Sequence, residues 1–396
     1  MRTALLLSVG VIASYGLPGL PALHLDPAYT TISGISSGAD LASHIALALS
    51  DMIIGSAIFA GEPWNCAVTR FPGEPEYPCG EKAGGSIGPG CPGGGFPGSA
   101  SCLGCSPGHT LSYDHCKLDA SKQPPVLVNP GVLVSSAINA SLYGLIPPTS
   151  HLARTRTLCF RGDQDVVYLP GSVNKTCDFF RAFADTDEQV KMVVGWPMQH
   201  ALPTIDPALN ASSCGGKGLP NFPAMANCGY DGAGQSLAHM LGPGVTLTPP
   251  TSHACDAQCA SRLVAFDQTQ YVPSDWLGKE LSSVGWLYVP TGCSGAGGKG
   301  CKLHISLHGC GMSIWGAMGS NYITHSGYNP WGEANNIAIL YVQGGGFIER
   351  NQTSQAPAAQ IGAGCFDGYG QTRADFAFST GPQIATIKNM ILALTA

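Results

Sequence analysis

Tyr29-Thr30-Thr31-Ile32-Ser33-Gly34-Ile35-Ser36-Ser37-Gly38-Ala39-Asp40 is the stretch on which the fold turns. Its first half is aromatic and β-branched, the composition of a strand. Beyond it, Leu41, Ile45 and Leu49 recur at i, i+4 and i+8, which predicts a helix over 40–50. Between the two lies Gly34-x-Ser36-x-Gly38, where small neighbours let a strand run into a helix through a sharp turn that lifts one serine above the sheet edge. The pattern alone is weak, because Gly84-x-Ser86-x-Gly88 repeats it inside a Gly/Pro-rich stretch with no strand before it and no helix after it. Context selects Ser36.

Outward from this turn, Ile53 to Ala60 reads as a buried strand, and 67–116 as a Gly/Pro/Cys-rich insertion. Thr157–Phe160 reads as a strand, followed by the acidic turn Gly162-Asp163-Gln164-Asp165, a helix over 177–184, a strand over 190–194 and a loop carrying His200. This is a βαβ rhythm. Residues 205–280 read as a second irregular insertion. Strand patterns resume at 286–289, 303–307 and 337–342, and Ile384, Ile387, Ile391 and Leu394 mark a closing helix over 383–394. The fold class expected is α/β, with mostly parallel strands, as a single domain over 23–396 carrying the two insertions.

The chain has 396 residues, with 19 basic and 25 acidic side chains and a net charge of -6. It has no Lys/Arg run, which argues against nucleic acid and against an anionic membrane as partners. Residues 1–16 combine a short positive start with an apolar run too short to span a bilayer, the pattern of a secretory signal peptide with cleavage after Gly16 or Ala22. All 16 cysteines lie beyond it, so up to eight disulfides in an extracellular protein are expected, with pairing open. Cys102-x-x-Cys105, His115-Cys116 and Cys255-x-x-x-Cys259 lack a second pair at zinc-site spacing, so neither metal nor cofactor is expected. Asn139, Asn174, Asn210 and Asn351 open glycosylation sequons, as in a secreted glycoprotein, and a monomer is expected.

A serine hydroxyl is a poor nucleophile near neutral pH and needs an imidazole to take its proton and a carboxylate to orient that imidazole. In α/β-hydrolases the acid and then the histidine follow the nucleophile along the chain. Asp165 and His200 stand in that order, with Asp163 as the rival acid. Leu303 to Leu307 alternates like a strand and breaks at His308-Gly309-Cys310, similar to the His-Gly turn that supplies a backbone oxyanion donor in that fold. The donors would be the N–H groups of Ser37 and Cys310. That turn normally precedes the nucleophile, whereas here it comes about 270 residues after it, counting from Ser36 to Cys310. A circularly permuted α/β-hydrolase fold explains the order.

These segments resemble the extracellular poly(3-hydroxybutyrate) depolymerase family, in its circularly permuted fungal form. The resemblance is carried by Ile32 to Ala39 with Ala60-Gly61-Glu62-Pro63-Trp64-Asn65-Cys66, by His200-Ala201-Leu202-Pro203-Thr204, and by Leu307 to Cys310 with Gly327 to Asn336 and Ile339-Leu340-Tyr341. It covers about half the chain. It implies a secreted serine esterase that hydrolyses a polyester through an acyl-enzyme on Ser36, with Asp165 and His200 completing the triad. The family often carries a tryptophan-rich run after the late cysteine, whereas Cys365-Phe366-Asp367-Gly368-Tyr369-Gly370 has none. Trp64, Trp331 and Phe366 are the candidate aromatic contacts for substrate. The alternatives are a carbohydrate esterase of feruloyl or acetyl xylan type, since fold does not fix substrate, and an inactive cysteine-rich surface-binding protein.

Overall fold

The structure is a computed structural model that describes residues 16–66, 69, 128–165, 167–168, 170–209, 214, 225–274, 281–294, 300–316, 318–345, 364–368, 370, 372–373 and 375–396. The expected signal segment, the 67–116 insertion apart from Thr69, and Ser86 lie outside them.

In chain order the elements are β1 (Thr30–Ile35), α1 (Ser37–Ala48), β2 (Ile53–Phe59), α2 (Pro130–Leu142), β3 (Arg156–Gly162), α3 (Pro170–Arg181), β4 (Val190–Trp196), β5 (Leu202–Pro203), β6 (Met225–Ala226), α4 (Gly232–Leu241), α5 (Ala257–Ala260), β7 (Leu263–Asp267), β8 (Val284–Tyr288), β9 (Lys302–Leu307), α6 (Asn321–His325), α7 (Tyr328–Asn335), β10 (Ile337–Val342) and α8 (Pro382–Thr395). Eight strands make one sheet in the order β4-β3-β2-β1-β9-β10-β8-β7, and β5 and β6 form a separate pair. The six strands from β4 to β10 are mutually parallel, while β8 runs antiparallel to β10, and β7 to β8.

Central parallel strands are covered on both faces and therefore lose the alternation of a half-exposed strand. Every residue of β1 and of β10 is buried accordingly. Alternation along β1 aims successive side chains at different layers. Thr31 and Ser33 face His304 of β9, whose ring lies 4.4 Å from the Tyr328 ring of α7. Gly34 faces α1, where a Cβ would meet Gly38 O at 2.1 Å. Helix α1 packs on β1, β2 and β9 and against α8, whereas α4 packs on β1, β2 and β3 and against α7.

Five helices escape the periodicity reading, α2, α4 and α7 and the short α5 and α6. Helix α2 has clear local signals in hindsight: the Asn129 side chain accepts from Gly131 N, Pro130 opens the first turn, and Leu133, Ala137 and Ala140 form its buried stripe. Helix α4 and strand β7 lie inside the stretch expected as an insertion over 205–280, which thus contributes a covering helix and the edge strand of the main sheet. Gly232 and Gly234 hide α4 from propensity; packing fixes it, since a Cβ on Gly234 would strike the Trp331 indole at 2.3 Å. Helix α7 begins after Gly327 and contains Pro330, both poor helix formers.

Cys214–Cys228, Cys255–Cys259, Cys293–Cys301 and Cys310–Cys365 are disulfides, and Cys66 is disulfide-bonded as well. Cys159 on β3 and Cys177 on α3 are buried thiols, and burial together with the neighbouring Cys177 pushes the Cys159 thiol well up. Cys255 and Cys259, part of the zinc pattern weighed above, are consumed by their own bridge.

Four histidines are folded into this scaffold as neutral rings. Burial lowers His304 to about 3 and His44, His239 and His308 to about 4. Their unfolded value near 6.5 means that the unfolded chain takes up protons first as pH falls. Stability should therefore be full above pH ~6.5 and decline towards pH ~4, by up to about 1.4 kcal/mol per pH unit for each histidine. Urea midpoints at pH 7.5, 6 and 4.5 should fall in that order, and a flat series would contradict the neutral-ring reading.

Candidate active site at the carboxyl edge of the sheet

Ser36 sits between the last residue of β1 and the first of α1 with φ 57° and ψ −129°, a conformation that a side-chain-bearing residue rarely adopts. Its N–H donates to Phe59 O at 3.1 Å, and its carbonyl accepts from Ala39 and Asp40 N, so the turn is pinned on both sides. The flanking glycines are required by contact. A Cβ on Gly38 would lie 2.3 Å from His308 O and 2.5 Å from Leu307 O, so the start of α1 rides directly on the end of β9. Gly309, the next residue of that turn, is less tight but still crowded: its Cβ would lie 3.1 Å from Ser36 Cβ.

The β9 turn is held from behind. His308 Nδ1 hydrogen-bonds Gly309 O at 2.8 Å, and His308 Nε2 faces Gly344 N at 3.0 Å. With the ring neutral, Nδ1–H donates to the carbonyl and Nε2 accepts from the amide. Cys310 is tied to Cys365 by a disulfide, and its Sγ lies 3.4 Å from Ser37 Oγ, where only the hydroxyl can donate. Phe366 N donates to the same Oγ at 3.2 Å. The side chains of Ser37 and Cys310 thus meet next to Ser36.

Asp165 lies in the loop after β3 and His200 in the loop after β4, both at the carboxyl edge that carries Ser36. His200 Nδ1 and Asp165 Oδ2 are 2.9 Å apart, with the histidine side chain 8% and the aspartate side chain 1% exposed. The other carboxylate oxygen accepts from Val167 N at 2.8 Å and Tyr168 N at 2.9 Å. A carboxylate held by two amides and one imidazole keeps that imidazole in the tautomer with Nδ1 protonated and Nε2 free to accept. Asp163 goes elsewhere: its side chain is 43% exposed, pairs with Arg161 at 3.3 Å, and accepts from Gly195 N. The two loops are stitched by Gln164 N to Met198 O and Asp163 N to Trp196 O.

The aromatic candidates differ in burial. Trp64 has no exposed surface; its indole N–H donates to Ala377 O at 2.9 Å and its ring packs near Phe179 and Phe378. Phe366 is equally buried, 4.8 Å from the His308 ring. Trp331 is half-buried, with its indole N–H bound to Asp231 Oδ2 at 2.9 Å at the start of α4. Sequence reasoning missed Tyr168 and Asp40. Tyr168 stacks on His200, and its hydroxyl donates to Asp40 Oδ2 at 2.7 Å. Only the placement of Asp40 four residues after Ser36, in the first turn of α1, could have hinted at this link.

Among the described residues no group of three His, Cys, Asp or Glu side chains could hold a metal ion, and no helix is long and apolar enough to cross a membrane. Asn139 and Asn174 are exposed on α2 and α3, while Asn210 and Asn351 lie outside the described residues.

The class that this sheet and its loaded carboxyl edge define is the α/β-hydrolase fold. Within it, the chain is similar to the PHB depolymerase from Penicillium funiculosum, at a TM-score of 0.69 and 22% identity over 95% of this chain and 98% of that one. A serine-to-alanine variant of a PHB depolymerase complexed with an R3HB trimer matches with the same TM-score of 0.69. By sequence, the chain is 27% identical over 385 residues to the poly(3-hydroxybutyrate) depolymerase of Delftia acidovorans, covering 96% of this chain and 63% of that protein. It is 25% identical over 345 residues to the polyhydroxybutyrate depolymerase of Talaromyces funiculosus, covering 87% of this chain and 82% of that protein. The chain thus spans less than two thirds of the length of the Delftia relative. No protein-family model matches it.

Replacing Gly38 by Ala should force the elbow off the β9 backbone, because neither carbonyl is the end of a flexible side chain. The helix propensity gained from Ala is at most about 1 kcal/mol. A net loss of about 1–3 kcal/mol in denaturant unfolding is expected, and an unchanged midpoint would contradict the contact.

Proposed function

We propose that this protein is a secreted serine esterase that hydrolyses the ester bonds of poly(3-hydroxybutyrate)-type polymers. The observation that carries the reading is the buried Asp165–His200 pair, poised on the sheet edge that also presents Ser36 in a strained elbow. Both sequence relatives and both structural neighbours carry depolymerase names, which supports the polyester as substrate.

In this reading His200 Nε2 takes the Ser36 proton as Oγ attacks the ester carbonyl, and Asp165 stabilises the imidazolium that forms. The N–H groups of Ser37 and Cys310 receive the negative charge on the tetrahedral oxygen, a contribution of roughly 2.7–4 kcal/mol per donor. His200 then returns the proton to the departing alkoxide, leaving an acyl group on Ser36. Water activated by the same imidazole releases the hydroxy acid end. No step in this reading calls for a metal or cofactor.

We also propose that the chain is a circular permutation of the usual hydrolase order. Strand β9, with the oxyanion turn, lies beside β1 in the sheet yet follows it late in the chain. Leu25 N donates to Leu394 O at 2.9 Å, so the segment leading into β1 touches the end of α8. The disulfides fit an oxidising compartment and support secretion.

The test is clearing of an amorphous poly(3-hydroxybutyrate) suspension. Wild-type protein should clear it and Ser36→Ala should not; clearing by both would remove Ser36 from the chemistry. Failure of wild type to clear the suspension, with turnover of feruloyl or acetyl esters instead, would move the substrate to carbohydrate esters. Asp165→Asn should lower kcat by about 10⁴-fold through the wrong tautomer. Asp163→Asn should stay within about twofold, as expected of a 43% exposed side chain turned towards Arg161. The reverse ranking would reassign the acid.

A further inference from the structure

We propose that Tyr168 is a positioning residue that holds the plane of the His200 imidazole, and that Asp40, one helical turn beyond Ser36, is its anchor. The proposal rests on the reading of Ser36, His200 and Asp165 given above, and it adds the part that registers the base against the nucleophile. Four contacts converge here. The Tyr168 ring lies parallel to the His200 ring, with centroids 5.3 Å apart and planes 7° apart. Its N–H donates to Asp165 Oδ1 at 2.9 Å. Its hydroxyl donates to Asp40 Oδ2 at 2.7 Å, and Asp40 Oδ1 accepts from Glu62 N at 2.9 Å. Tyr168 and Asp40 have no exposed surface.

The need for such a part follows from geometry. A single hydrogen bond from Nδ1 to Asp165 sets one point and one direction of the imidazole but leaves it free to rock about that axis. Nε2, on the far side of the ring, then sweeps an arc. A parallel ring with its centroid 5.3 Å away limits this freedom. The flat ring must itself be unable to slide, and the charge-assisted bond from its hydroxyl to a buried carboxylate prevents that. The carboxylate belongs to α1, the element whose first turn is set by Ser36. The plane of the base is thereby referenced to the nucleophile's own helix, across 128 residues of sequence. Misplacement of a reacting group by about 1 Å can cost about 10²-fold in rate, so this registration is worth building. The stack also places a π face against His200 when it becomes an imidazolium, which is attractive.

The experiment compares Tyr168→Phe, which keeps the flat ring and releases the anchor, with Tyr168→Leu, which removes both. Readouts are kcat and KM on a soluble p-nitrophenyl ester, thermal midpoint, and the rate and stoichiometry of Ser36 labelling by a p-nitrophenyl phosphonate. Expected are a fall in kcat of about tenfold for Phe and about 100-fold for Leu, with KM within about twofold in each. Both variants should label Ser36 to one equivalent, but slowly, in proportion to kcat. A kcat within twofold of wild type in both, a loss confined to KM, or a Leu variant no worse than Phe would overturn the proposal. Should Tyr168→Leu not fold, Tyr168→Phe decides alone, since an unchanged kcat there removes the anchor. Failure of the underlying reading looks different: wild-type protein would then leave Ser36 unlabelled.

Discussion

The site depends on a backbone-to-backbone contact. Helix α1 starts so close to the end of β9 that only a glycine fits between Ser37 and Ala39, and a Cβ there would sit 2.3 Å from His308 O. This approach brings the Ser36 turn and the His308-Gly309-Cys310 turn side by side, and the Cys310–Cys365 disulfide and the Phe366 N to Ser37 Oγ bond hold them there. The strain at Ser36 is sustained because the surroundings over-determine it: strand β2 takes its N–H, and the first turn of α1 takes its carbonyl.

Around that contact several buried polar groups have defined tasks. His304 bridges Thr31 and Ser33 and so ties β9 to β1 through side chains as well as through the ladder. His308 braces the turn it belongs to. Desolvation keeps both rings neutral, and a neutral imidazole offers one donor and one acceptor, which is what each site uses. Asp40 is different, because its carboxylate is held by a tyrosine hydroxyl and an amide. The same chemistry that makes these networks specific makes them sensitive to acid.

Legibility followed range. The elbow could be read because strand, turn and helix lie within about twenty residues and each has its own local signature. Asp165 and His200 could be picked as loop residues after strand-like runs, and the structure brings the two together at 2.9 Å while sending Asp163 towards Arg161. Trp64 and Phe366, candidate substrate contacts by sequence, are buried in the core, and nothing in a short window distinguishes an aromatic that fills a core from one that meets a substrate. Helices α4 and α7 were missed because glycine and proline lower their intrinsic propensity, and packing against the sheet supplies what propensity lacks.

The sequence by itself determined that a serine would be raised between a strand and a helix, since that turn needs only neighbouring residues of suitable size. It also determined an α/β layout, since the spacing of apolar residues along each element sets which face must be buried. Only the tertiary structure decided which carboxylate meets His200, which thiols stay unpaired, and that Tyr168 joins His200 to the helix of Ser36. Those outcomes depend on how separate loops are laid along one sheet edge, with 35 residues between Asp165 and His200 and 128 between Asp40 and Tyr168. Strand order sets that arrangement, and strand order is a property of the packed sheet that no local pattern encodes.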